Sequence, residues 1–235
     1  MSEALKLFII TLLAIGAFRS FVFEPFHIPS GSMKSTLLVG DYIFVSKYNY
    51  GYSRYSTVLS PIISKVPALS WEGRFLYTAP QAGDVVVFRL PSDPGTSYIK
   101  RVIGLPGDTV QVKGGHLYIN GEEMGYEKAD DFIEGGRAIK RYVETLYNGR
   151  SYEVLSEREN SSLDNTPVYR VPEGHVFVLG DNRDDSRDSR FVTEVGNIPI
   201  ENIVGKAMLV VLSFRRGEGW MPFVIRTDRI FHRVR

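Results

Sequence analysis

A single apolar run near the N-terminus constrains this chain more than any other feature. Leu5 to Phe23 reads LKLFIITLLAIGAFRSFVF, nineteen residues whose charges, Lys6 and Arg19, lie toward its ends. A bilayer core takes about 20 apolar helical residues, and basic side chains near the ends of a span snorkel to the interface. The uninterrupted part, Leu7 to Phe18, is twelve residues long. That length also suits the apolar region of a cleavable export leader, with Ile15-Gly16-Ala17 passing as a cleavage site. A buried core helix is a third reading. The run is read here as an anchor. Lys6 on one side against Arg19 and Lys34 on the other is too weak a bias to orient it. No other apolar stretch is long enough to span, so the chain crosses once and its body lies on one side.

The body reads as mainly β. Thirteen Tyr and fourteen Phe among many Val and Ile favour strands. Gly40-Asp41, Gly83-Asp84 and Gly107-Asp108 each read as a turn feeding a strand: YIFVSKY, VVVFRL and TVQVKG. Gly180-Asp181 closes the run His175 to Leu179. In the first strand, alternation puts Tyr42, Phe44 and Ser46 on one face. Asn120-Gly121 and Asn148-Gly149 are hairpin turns, the first after His116 to Asn120, the second between Tyr142–Tyr147 and Ser151–Leu155. Tyr98 to Ile103 and Val204 to Phe214 are further strands. Gly51 to Gln81 has no clear period and reads as a surface excursion, with Trp71 and Phe75 touching lipid or core. Ser156 to Thr166 is a polar loop, in which the glycosylation-like Asn160-Ser161-Ser162 is a chance match. The tail, Phe223 to Arg235, carries Arg226, Arg229, Arg233 and Arg235, and reads as lying on an anionic membrane surface or as a solvated amphipathic end. No second helix is evident. At 235 residues the chain holds one large or two small domains.

Composition removes several chemistries. The formal net charge of +1 gives no reason to expect nucleic acid. The absence of cysteine excludes disulfides, thiolate metal sites and cysteine catalysis.

Three stretches could carry chemistry. In FHIPSGSMKSTLLVGD, Phe26 to Asp41, Pro29 pushes Ile28 toward extended geometry, and Gly31 permits a sharp bend between Ser30 and Ser32. A hydroxyl on a tight turn between apolar walls suits a serine nucleophile facing a peptide groove. A nucleophile needs a base. His27, His116, His175 and His232 are available, and so is Lys100 in SYIKRVIGLPGD. Alternation puts Lys100 between Tyr98 and Val102 on one strand face, opposite Ile99, Arg101 and Ile103. Desolvation there would lower the lysine pKa and free it as a neutral base. GDNRDDSRDSR, Gly180 to Arg190, resembles a calcium loop at Asp184, Ser186 and Asp188. However, Ser189 stands where such a loop needs glycine, and no Glu closes it at the twelfth position. A network of Asp–Arg pairs and serine hydrogen bonds fits better.

Together these stretches resemble one family, the bacterial type I signal peptidases, membrane-bound leader peptidases with a Ser-Lys dyad. The resemblance lies in PSGSM at 29–33, GDYIFVSKYNYG at 40–51, GDVVVFR at 83–89, YIKRVIGLPGD at 98–108 and GDNRDDSRDSR at 180–190. They stand in the family's order behind an N-terminal anchor. The resemblance implies Ser32 as nucleophile, Lys100 as general base and Ser30 as an oxyanion donor. It implies that Ser186 orients the lysine while Asp188 and Arg190 hold the loop. Ile28, Pro29, Met33, Leu37, Tyr98 and Ile99 would wall the pocket for the residue before the cut. Phe26, Ile43, Val87 and Ile99 would wall the pocket for the residue two earlier. The fold implied is mainly β: a single transmembrane helix (1–23), a β-rich catalytic body (24–105 and 175–235) and a smaller inserted β domain (106–174). The substrates implied are exported preproteins, cut at the signal peptide after a small residue of an Ala-X-Ala site. No cofactor or metal is implied, and membrane lipid is an expected partner. The location implied is the bacterial inner membrane, with the catalytic domain on the periplasmic side.

Departures from the family pattern are Ser35 where proline is frequent, Lys34 as a second amine near the bend, Asp185 where asparagine is frequent, and no cysteine pair. Two other functions remain open on the sequence. One is a Ser-Lys peptidase of narrower range, acting on a pilin, a conjugation protein or itself. The other is a non-catalytic anchored β-domain.

Overall fold

The structure, a computed structural model, describes residues 2–57, 72–158, 161–217 and 223–235. One helix, α1 (Glu3–Phe21), precedes the strands β1 (Phe23–His27), β2 (Asp41–Ser46), β3 (Val85–Leu90) and β4 (Asp93–Gly104). Then come β5 (Thr109–Lys113), β6 (His116–Ile119), β7 (Glu122–Glu123), β8 (Gly125–Lys128), β9 (Phe132–Glu134), β10 (Arg137–Thr145), β11 (Ser151–Ser156) and β12 (Tyr169–Arg170). The chain closes with β13 (His175–Leu179), β14 (Ile198–Pro199), β15 (Ile203–Arg216) and β16 (Phe223–Ile225). The fold is mostly β, as the sequence predicts.

The strands form three sheets. The large one runs β1-β2-β15-β3-β4-β13-β14, with β16 on β15. Strands β5 to β12 stay out of it and make two four-stranded sheets, β11-β10-β8 with β9 on β10, and β12-β5-β6-β7. Val110, Leu117, Ile119, Tyr152 and Val154 of the small sheets pack with Ile103, Phe177 and Leu179 of the large one in a single apolar cluster. Large and small sheets are thus joined by core.

The three Gly-Asp pairs share one local mechanism. In Leu38–Asp41, Gln81–Asp84 and Leu105–Asp108 the Asp N–H donates to the carbonyl three residues earlier, at 3.0, 3.1 and 3.0 Å. Each carboxylate accepts in return from the first residue's N–H, at 2.9, 3.1 and 2.8 Å. The glycines take φ of +91°, +92° and +90°. A type II turn needs a positive φ at its third position, so glycine is chosen for conformation and aspartate for the second hydrogen bond.

Helix α1 is apolar around its circumference and exposed along its length, with Ser20 its one buried residue. Its last turn meets the body through Phe21 against Tyr52, 5.5 Å between rings, and Phe18 against Phe23 of β1, 6.3 Å. Glu24 on β1 pairs with both Arg19 and the buried Lys47, which fixes where the helix leaves the sheet.

Several expectations are adjusted. The strand expected from Tyr98 begins at Asp93. Pro94-Gly95 reads as turn chemistry, but Asp93 accepts from the Gly95 N–H and the Thr96 hydroxyl within the extended segment. The tail is largely exposed but tied to the body along its length. Arg229 pairs with buried Asp41 at 2.6 Å, Arg226 donates to Ser213 at 2.8 Å, and residues 231–234 hydrogen-bond along β15. Trp71 and Asn160 lie outside the described residues.

The turns give a graded test by thermal unfolding. At Gly107 a Cβ meets nothing within 4 Å, so Gly107→Ala should cost only the left-handed backbone, about 1 kcal/mol. At Gly40 a Cβ would overlap the Phe214 carbonyl, so Gly40→Ala should cost clearly more. Equal losses would contradict this account of the turns.

Candidate active site

Ser32 and Lys100 are brought together from distant segments. Gly40 N–H donates to the Ile28 carbonyl and Ile28 N–H to Asp41, so the segment 28–41 closes on itself. Ser32 projects from the bend in this segment, and Lys100 projects from β4 opposite Val86. Lys100 Nζ lies 2.6 Å from Ser32 Oγ and donates to the Ile99 carbonyl at 2.9 Å. The two residues are 6% and 3% exposed, so the pair is largely withdrawn from water. The Tyr98 ring centroid is 5.5 Å from the amine. Burial pushes the Lys100 pKa down to about 8, against the upward pull of Asp188, Asp181 and Asp185. At that value a sizeable neutral fraction exists in mildly alkaline solution.

Ser30 Oγ lies 3.4 Å from Ser32 Oγ on the exposed side of the bend. The acidic segment packs behind it: Asn182 N–H donates to the Ser32 carbonyl at 3.1 Å. Asp188 is fully buried. Burial would raise its carboxyl, but Arg190, with contacts of 2.9 Å to both oxygens, and the Gly180 N–H hold it below the usual range. Ser186 is buried next to this acid and helps hold it low, but its Oγ makes no hydrogen bond of ordinary geometry, to Lys100 or elsewhere. Asp181 is taken by Arg101 and by Thr36, and Asp184 accepts from the N–H groups of Glu157 and Arg158. The acids of GDNRDDSRDSR that are buried therefore serve the protein's own donors.

A cleft of about 430 Å³ opens at the serine. Among the residues assigned to it from sequence, Phe26, Ile28, Pro29, Val87, Tyr98 and Ile99 line it. Met33, Leu37 and Ile43 do not reach its surface. They are at most 1% exposed and pack in the core behind the wall, with Ile28 and Val87. The cleft also takes residues that sequence reasoning did not assign: His27, Thr96, Ser97, Asp185 and Arg187. Thr96 and Ser97 belong to the missed start of β4, which the alternation Thr96-Tyr98-Lys100 could have extended.

Two of the four histidines are held away from the serine, and His27 lies on the cleft without a hydrogen bond to Ser32 among the described residues. His27 is exposed against Tyr42, His116 pairs with Glu123, and His175 meets the Glu173 carbonyl. Lys34 pairs with Glu134.

The family model described as signal peptidase, peptidase S26, matches residues 1–212. The signal peptidase I of Rickettsia typhi is 43% identical over 202 residues, 83% of this chain and 74% of that protein. That of Rickettsia canadensis is 42% identical with the same coverage. A solved signal peptidase I from Enterococcus faecalis is 29% identical over 55% of this chain and 97% of that one, with a TM-score of 0.33, too loose a superposition to bear on the fold. Sequence kinship and the serine at the head of the cleft put the molecule among the serine endopeptidases, enzymes that hydrolyse peptide bonds. Within that class the chain belongs to the signal peptidase I family. Membership displaces the reading as a non-catalytic anchored domain.

The buried amine has a measurable consequence for stability. A folded-state pKa near 8 against the ordinary 10.5 means that the charged lysine opposes folding by up to about 3 kcal/mol below pH 8. The opposition fades as the pH rises from 8 to 10.5, because the folded form gives up its proton before the unfolded one does. Lys100→Met should therefore stabilise the protein at pH 6 and lose that advantage by pH 11, measured by urea unfolding. A parent more stable than the variant at pH 6 would show that the amine is not desolvated at net expense.

Proposed function

We propose that this protein is an anchored serine endopeptidase that removes signal peptides from exported preproteins after a small residue, using Ser32 and Lys100 as a dyad. The observation that carries the proposal is the 2.6 Å contact between Lys100 Nζ and Ser32 Oγ in a buried setting. Neutral Lys100 takes the Ser32 proton as Oγ attacks the carbonyl after the small residue, and an acyl-enzyme forms as the protonated lysine serves the leaving amine. Water then attacks the ester with Lys100 again as base. The Ser30 hydroxyl and the Ser32 N–H are positioned to receive the developing oxyanion. Asp188 and Arg190 hold the segment that carries Ser186 and Asn182 behind the bend.

The apolar cleft supports a preference for small residues at the cut and two positions earlier, the Ala-X-Ala pattern. Its walls are backed by Met33, Leu37 and Ile43, so they have little room to yield. The large sheet is read as the catalytic core (24–105 and 175–235) and the two small sheets as an insertion (106–174). Support for the membrane reading comes from α1 and the aromatic face it runs into. Phe23 stacks on Phe44 and meets Tyr48, while Tyr42, Phe214 and Phe223 continue along β2, β15 and β16. Tyr42 and Tyr48 in this face are amphipathic, and tyrosine rings favour the headgroup region. An extracytoplasmic body at the inner membrane, where preproteins emerge, follows from the same reading.

Peptide cleavage by the full chain tests the dyad. Ser32→Ala should abolish turnover, and Ser30→Ala should lower it by about 10²–10³-fold. The rate should climb through a midpoint near pH 8 as Lys100 loses its proton, falling about tenfold for each pH unit below it. Lys100→Arg should be nearly inactive, since guanidinium stays protonated. An active Lys100→Arg protein with an inactive His27→Ala would make the histidine the base.

The cleft makes a separate prediction. A peptide with Ala before the cut should be cleaved at least tenfold faster than one with Phe, because overpacking a walled pocket costs about 1–3 kcal/mol. Similar rates for the two would sink the pocket assignment.

A further inference from the structure

We propose that the two small sheets brace the nucleophile bend through Glu134 and Glu153, which hold the residues just after Ser32. The inference builds on the Ser32–Lys100 reading above. Glu134 ends β9, at the tip of the hairpin that turns through Gly135 and Gly136 into β10, where both glycines have positive φ. Its carboxylate reaches across to Lys34 Nζ at 2.6 Å, one hundred residues away in sequence. The next residue, Ser35, donates to Glu153 of β11 at 2.6 Å, and Arg141 holds that carboxylate at 3.0 Å. Thr36 then donates to Asp181 at 2.5 Å. Three successive side chains after the nucleophile are thus each fixed by a carboxylate from a different part of the chain, two of them from the small sheets.

Lys34 transmits the hold to the bend. Its stem folds back over Gly31, between the two serines: a Cβ on Gly31 would stand 2.8 Å from Lys34 Cε and 3.1 Å from Nζ. The side chain occupies the space that the glycine leaves, and its own side chain is only 14% exposed. Fixing the amine therefore fixes what lies against the Ser30-Gly31-Ser32 backbone, and with it the direction of the Ser30 hydroxyl and the Ser32 N–H.

Glu134 itself is about half exposed, so the ion pair adds little to folding stability. Geometry is a different matter, because a displacement of about 1 Å in catalytic groups costs up to about 10²-fold in rate. Glu134 and Glu153 are accordingly positioning residues: they act on the rate through Lys34 and Ser35 and leave the substrate cleft untouched.

The test is steady-state cleavage of one signal-peptide substrate by the full chain, with the melting temperature of each variant measured alongside. Glu134→Gln and Lys34→Met should each lower kcat roughly tenfold, with KM and Tm unchanged. Lys34→Arg should keep most of kcat, because it can still reach Glu134. Exchanging the partners, Lys34→Glu with Glu134→Lys, should recover most of the loss seen in either single variant. Ser35→Ala should lower kcat in the same way, and combined with Glu134→Gln it should lower kcat below either single variant. Full kcat in the Glu134→Gln, Ser35→Ala double variant would overturn the brace, as would a loss confined to KM, a loss that tracks Tm, or an exchange that recovers nothing. An active Ser32→Ala protein is a distinct result, which would remove the dyad itself.

Discussion

The removal of one amine from water is the constraint on which the rest of the site depends. Lys100 can act as a base near neutral pH only if its charged form is disfavoured, and burial is what disfavours it. In the proposed dyad the same lysine must also be aimed at Ser32, which needs a rigid polar frame. That frame brings carboxylates close: Asp181, Asp185 and Asp188 all favour the charged amine. Two of the three are spoken for by buried guanidinium groups, Asp181 by Arg101 and Asp188 by Arg190. The third, Asp185, is exposed on the cleft rim, where water screens it.

Strand β4 is the element that reconciles these demands. Its alternation sends Lys100 toward the serine and Arg101 the other way, into the layer between the large and small sheets. There Arg101 meets Asp181, the Gly83 carbonyl and the face of Tyr152, 4.0 Å from its ring centroid. The next pair in that layer, Glu144 of β10 with Arg183, joins the small sheets to the acidic segment. Consecutive residues of one strand thus place the proposed base and anchor the frame that points it.

How far this was legible in the sequence depends on how local each feature is. The turns ending in Asp41, Asp84 and Asp108 are settled within four residues, and the sequence shows all three. Gly180-Asp181 has the same letters and a different cause: Gly180 is small because Ser186 occupies the place of its side chain. Lys100 was visible as a lysine on an apolar strand face, since a period of two needs no tertiary information. The start of β4 was not, because Pro94-Gly95 is turn chemistry that the Asp93 side chain overrides. Met33, Leu37 and Ile43 have the composition of a pocket wall and lie one layer deeper, a distinction that only packing decides. The contacts of Lys34, Ser35 and Arg229 join residues a hundred positions or more apart, and no local pattern announces them. For Lys34 the chemistry alone suggested a rival amine, and its partner Glu134 lies a hundred residues away.

An apolar surround would have lowered the Lys100 pKa further and with less machinery, so the buried ion pairs need a reason of their own. Buried pairs often contribute no more to stability than well-packed apolar groups would, whereas removing one partner strands a charge and costs about 3–5 kcal/mol. What they supply is direction. A guanidinium held at two oxygens admits one arrangement, and Asp188 gripped by Arg190 also accepts the Gly180 N–H, which fixes the backbone leading to Asn182. Asn182 in turn holds the Ser32 carbonyl. The chain of bonds therefore runs from a buried ion pair to the proposed nucleophile without touching the lysine's amine. Its residual field leaves Lys100 near 8, where the neutral form is reachable in mildly alkaline solution and the amine is still basic enough to hold the serine proton. A drier site would have yielded a weaker base.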